Sequence, residues 1–190
     1  MRRSTLLLLA IIVVIAGANL HLAEQIEAQR DMYARDVALS YEAGIKHGIE
    51  QAVDSSPDVE ALTTLFDKYH HADAENFARW VVYYSAKYRI PQFLLAGMLM
   101  QESSCNPDAV SRKGARGLTQ VIWKWWGKLL SEYGVAKTEM DLHDPETSIE
   151  AGACILRHLL DRYGDIHEAL RHYSGNARNY TDKVMGRVVG

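Results

Sequence analysis

Glu102 is the side chain in this sequence best placed to do chemistry. Leu95, Met98 and Leu99 precede it by seven, four and three residues, and those offsets share its face on a helix. The carboxyl is thereby set over an apolar stripe. Desolvation disfavours its charged form and keeps a proton available near neutral pH. A neutral carboxylic acid can protonate a poor leaving group, a glycosidic oxygen among them. The competing reading is a helix-end glutamate that faces water or pairs with Arg112, Lys113 or Arg116. Asp108, Asp141, Asp144 and Asp165 are candidates for a second carboxylate, although aspartate at such loop positions suits caps and turns better. Other constellations fail on geometry. His167 and His172 are five residues apart, so a helix splays them by about 140°, and no metal site is expected. His70 and His71 are adjacent and read as solvent-facing. Trp123, Trp125 and Trp126 either pack a helix into the core or offer an aromatic face to a sugar.

The elements that must position these groups read as helices. Apolar residues recur in steps of four from Leu22 through Ile26, Tyr33, Val37, Tyr41, Ile45 and Ile49 to Val53, the mark of an amphipathic helix. Gly44 and Gly48 lie one turn apart on it and permit close packing. Ser56-Pro57-Asp58 is a helix start with a hydroxyl cap, proline in the first turn and a negative charge. That helix is expected to reach Tyr69, and others to span Asp73–Tyr88, Pro91–Ser103, Val121–Tyr133, Thr147–Tyr163 and Ile166–Tyr173. Pro107, Gly114 and Gly117 mark a loop after Glu102. Val121 and Ile122 apart, no run alternates as strands do, so the chain is expected to be all-α with at most a small β element.

The chain has 190 residues, 48% of them hydrophobic, and a formal charge of −3. No basic stripe appears, so nucleic acid is not an expected partner. Arg2 and Arg3 precede an uninterrupted apolar run, Leu6–Ile15, followed by Ala16-Gly17-Ala18. That order is the order of a secretory signal. A membrane-spanning helix needs roughly 20 apolar residues, which Leu20, Leu22 and Ala23 only partly supply. Residues 1–22 are therefore read as a signal peptide or an inner-membrane anchor, and the remainder as exported to the periplasm or cell envelope. In that compartment Cys105 and Cys154 either form a disulfide or are small core residues.

The strings Glu102-Ser103-Ser104-Cys105-Asn106-Pro107 and Ser111-Arg112-Lys113-Gly114-Ala115-Arg116-Gly117-Leu118-Thr119-Gln120 resemble the soluble lytic transglycosylase (SLT) domain. Asp144-Pro145-Glu146 with Ile149, Ala151-Gly152 and Leu156 is similar to that family's next helix. His172-Tyr173-Ser174-Gly175 stands in place of its Ala-Tyr-Asn motif. Four motifs in order, over about Trp80 to Val184, carry the resemblance. It implies a goose-type, lysozyme-like α domain over residues 80–190, preceded by a helical extension over residues 23–79.

By the same resemblance Glu102 matches the family's single acid/base and Ser111 a serine that hydrogen-bonds beside it. Gln120 should line a sugar cleft, and Tyr173 matches the tyrosine facing the carboxyl. Tyr180 and Val184 match positions that read as structural. Thr119 departs from the usual Met, Ser174 from Asn and His172 from Ala, so sugar contacts at these positions are expected to differ from the family's. The implied activity is cleavage of peptidoglycan glycan strands at the MurNAc-GlcNAc β-1,4 bond with a 1,6-anhydro product and no cofactor. Its alternatives are a hydrolytic muramidase or a catalytically silent peptidoglycan-binding scaffold. Envelope-spanning machinery is a further implied partner.

Overall fold

The computed structural model describes residues 42–69 and 72–189 and scattered positions from 24 to 40. The proposed signal or anchor segment lies outside them. Among the described residues no helix is long and apolar enough to cross a membrane. The chain divides into two compact units, Met1–Gly48 and Ile49–Gly190. In the first, the described positions are helical. A Cβ at Gly44 or Gly48 would meet nothing within 4 Å, so the close packing these glycines permit is not used among the described residues.

The second unit is helical apart from one short hairpin. Its order is α1 (Pro57–Asp67), α2 (Ala74–Tyr88), α3 (Gln92–Ser103), β1 (Ala115–Arg116), β2 (Val121–Ile122), α4 (Trp123–Glu132), a 3₁₀ turn (Glu139–His143), α5 (Pro145–Tyr163), α6 (Ile166–Tyr173) and α7 (Tyr180–Val189). Helix starts follow their local chemistry. Ser56 Oγ accepts from Asp58 N, with Pro57 in the first turn of α1. Asp144 Oδ1 accepts from Thr147 N at 2.8 Å ahead of α5, and Asp165 Oδ1 from Glu168 N at 2.9 Å ahead of α6. Each satisfies a backbone donor that the helix itself leaves orphaned. Asp141 closes a capping box with Thr138 at the 3₁₀ turn, an element the sequence reading does not anticipate.

Helix α3 is the axle of the core. Every residue from Leu94 to Met100 is buried, so the helix is apolar all round for two turns and must be surrounded by protein. Its surroundings include α2, α5 and α7. Where α3 meets α7, a Cβ at Gly97 would lie 2.5 Å from Val184 O. Only glycine lets the two backbones come that close. Across α2 and α5, Tyr84 OH donates to Glu146 Oε1 at 2.8 Å and Tyr88 OH to Glu150 Oε1 at 2.9 Å.

Val121 and Ile122 are not the first turn of α4. They form β2, antiparallel to β1 with Ala115 opposite Ile122 and Arg116 opposite Val121. Two β-branched residues in a row suit a pleated edge better than a helix start. Helix α5 opens at Pro145, two residues before the expected Thr147, because Asp144 is its cap.

Candidate active site

Glu102 sits in the last turn of α3, which ends at Ser104 with φ 52°. Ser103 Oγ donates to Leu118 O at 2.8 Å, pinning that end of the helix to the loop that closes the hairpin. The carboxyl is half-buried. Burial raises its pKa, and a hydrogen bond from Tyr180 OH to Oε1 lowers it, with burial the larger effect. Tyr180 itself is buried. Its burial and the nearby Glu102 charge hold the phenol protonated, so it acts as a fixed donor. None of Arg112, Lys113 and Arg116 pairs with Glu102. Arg116 Nη2 instead meets Glu139 at 3.4 Å.

The hairpin loop builds the opposite part of the site. Gly117 has φ 72°, and a Cβ there would fall 1.9 Å from Leu142 O. Gln120 has φ 49°. Its Nε2 donates to Ala109 O and Gly117 O, both at 3.0 Å, which locks the turn. Thr119 is fully buried. Its Oγ1 donates to Ser148 O at 2.7 Å, and Gly152 leaves room for its methyl group. The departure from Met at this position therefore does not reach the cleft; it fastens the loop to α5. Thr119 O in turn accepts from Tyr173 OH at 2.8 Å.

Around these groups opens a cleft of about 370 Å³ whose lining includes Glu102, Ser111, Gln120, Trp125, Tyr173 and Tyr180. Ser111 is turned to its own hairpin: its N donates to Ala115 O and its Oγ accepts from Ala115 N, both at 2.9 Å. The hydrogen bond at the carboxyl comes from Tyr180, not from Ser111 or Tyr173. Tyr173 is nonetheless near enough for the Glu102 charge to help raise its pKa, after burial. Sequence reading gives Tyr180 a structural part. The available signal was periodicity, since Tyr180, Val184 and Val188 recur in steps of four and announce the inward face of α7.

Glu102 is the only carboxyl that lines the cleft among the described residues. Asp141, Asp144 and Asp165 are spent on caps, and Asp108 does not reach it. The tryptophans divide. Trp123 packs over Gly127, Trp126 meets His158 edge-on at 6.2 Å and also lines the cleft, and Trp125 is 61% exposed at the cleft. His172 stacks on Tyr163 at 4.0 Å. Cys105 and Cys154 are buried free thiols, not a disulfide. Burial pushes them up to about 12 and about 11.

The family model described as "Transglycosylase SLT domain" matches residues 80–185. A transglycosylase of Enterobacteria phage PRD1 is 35% identical over 113 residues, covering 55% of this chain and 40% of the phage protein. The membrane-bound lytic murein transglycosylase C of Yersinia pestis (strain Pestoides F) is 37% identical over 89 residues, 45% of this chain and 25% of that one. The chain thus matches well under half the length of these relatives. The crystal structure of the 70 kDa soluble lytic transglycosylase of Escherichia coli shares the fold, with a TM-score of 0.50 at 19% identity over 76% of this chain and 25% of that chain.

Proposed function

Since this chain belongs to the transglycosylase SLT domain family, we propose that it is a lytic transglycosylase that cuts peptidoglycan strands with Glu102 as its single acid/base. The observation that carries this reading is the lone carboxyl of the cleft, with its pKa raised by burial and one oxygen held by Tyr180. A paired-carboxylate mechanism needs a second acid across the bond, and the cleft lining offers none among the described residues.

In the proposed reaction Glu102 gives its proton to the oxygen joining N-acetylmuramic acid to N-acetylglucosamine. The substrate's own acetamido oxygen stabilises the developing cation, as in other substrate-assisted glycosidases. Glu102, now ionised and still accepting from Tyr180, removes the proton of the muramoyl C6 hydroxyl. That oxygen closes the 1,6-anhydro ring. Exclusion of water at this step separates the lyase from a hydrolase. Ser111, Gln120 and Tyr173 would line the sugar subsites. The half-buried Gln120 turn and the Tyr173–Thr119 bond support a rigid wall there. The membrane-bound character that names the Yersinia relative supports action at the envelope, with residues 1–22 as signal or inner-membrane anchor and with envelope-spanning machinery as a further partner.

Digestion of purified murein tests the reading by mass spectrometry of the products. Products lighter by one water and non-reducing are expected. Hydrated, reducing ends would make the enzyme a muramidase instead. Glu102→Gln should lower the rate by about 10²–10⁴-fold, and undiminished cleavage by that variant would remove Glu102 from the chemistry.

A further inference from the structure

The cleft is opposite in sign to the chain that builds it. The whole sequence carries −3, yet the charged residues lining the cleft are Glu102, Lys113 and Lys183. With Glu102 in its neutral, proton-giving form the lining is doubly positive. Lys113 comes from the loop before β1, and Lys183 from α7, one turn beyond Tyr180. Both are exposed. Neither takes part in an ion pair among the described residues. Two nearby cations are engaged, Arg116 of β1 with Glu139 and Arg187 Nε of α7 with Gln101 Oε1, and Arg112, beside Lys113, does not line the cleft. The two ammonium groups do not serve the acid either, because burial and the Tyr180 hydrogen bond are what shift Glu102. Two unpaired cations on the lining of one cleft are available to an anion that the ligand brings with it.

We infer that Lys113 and Lys183 form an anion-reading rim that selects glycan strands bearing carboxylates on their muramoyl lactyl arms. The inference rests on the cleft being a glycan site. A lactyl arm presents a carboxylate in two ways: directly, when the strand has been stripped of peptide, or through the acidic residues and free C-terminus of an attached stem. An uncharged sugar chain of the same length offers the rim nothing. Because both ammonium groups are exposed and screened by salt, each should contribute about twofold to fivefold to KM, and act on kcat little.

Full-length enzyme is assayed on four strand preparations: with stems, stripped by an amidase, and each of these with its carboxylates converted to amides by carbodiimide and ammonia. Wild type should show a lower KM for charged strands than for their amidated counterparts, an advantage that shrinks in high salt. The double variant Lys113→Gln/Lys183→Gln should lose that advantage. If the advantage holds only for the stem-bearing pair, the stem is the group read; if it holds for the stripped pair, the lactyl carboxylate is. Cleavage with no preference in wild type, or a preference that the double variant keeps, overturns the assignment alone. Failure to cleave any of the four overturns the underlying reading of the cleft, and the rim with it.

Discussion

Two opposed influences meet at one oxygen pair. Burial makes ionised Glu102 costly, and Tyr180 offers the ionised form a hydrogen bond. Removing the donor in Tyr180→Phe leaves burial unopposed, so the carboxyl's pKa should rise further. Proton donation requires the neutral acid, so the alkaline limb of kcat/KM against pH should move upward. Turnover should fall by up to about 100-fold as the carboxyl loses its fixed orientation. A limb that stays in place would show that the phenol does not touch the reacting acid in solution. The same shift governs stability. A carboxyl whose folded pKa is raised contributes stability that is full below its unfolded pKa and is lost as pH rises through the folded value. Glu102→Gln should therefore melt above wild type at pH 8, with the difference closing near pH 4. Glu102 was legible in the sequence because its apolar neighbours lie within two turns of one helix. The phenol that holds it was not, because that pairing spans 78 positions and periodicity places Tyr180 on an inward face without naming its partner.

Helix α7 reaches the site because α3 lets it come close. Gly97→Ala places a methyl group against Val184 O and should cost about 1–3 kcal/mol as the backbones separate. Because Tyr180 rides on the displaced helix, turnover should drop as well. Gly186 lies on the same helix α7, but a Cβ there would meet nothing within 4 Å. Gly186→Ala should instead gain about 0.5–1 kcal/mol from helix propensity alone. Urea midpoints of the two variants should move in opposite directions. Elements whose boundaries depend on their own residues were readable in advance, as the starts at Ser56-Pro57 and Asp165 show. The hairpin was less so. Val121 and Ile122 suit a strand by their branching, but the turn before them, with Gln120 at positive φ and its side chain bonded to the carbonyls of Ala109 and Gly117, is not announced locally.

At the scale of the whole molecule, residues 49–190 contain every group assigned to the cleft and form a compact unit with its own core, from Val53 to Val184. A fragment of those residues should unfold cooperatively and release the same muropeptides as the full chain at a comparable rate in solution. A fragment that folds but is inert would give the preceding segment a direct part in the reaction. The order of the chain has one more consequence. A polypeptide leaving the ribosome delivers α3 long before α7, so its glutamate emerges without the phenol that orients it. A nascent or prematurely terminated product therefore carries the acid but no assembled centre. If the proposed function holds, full wall-cutting activity should arise only when the far end of the chain docks.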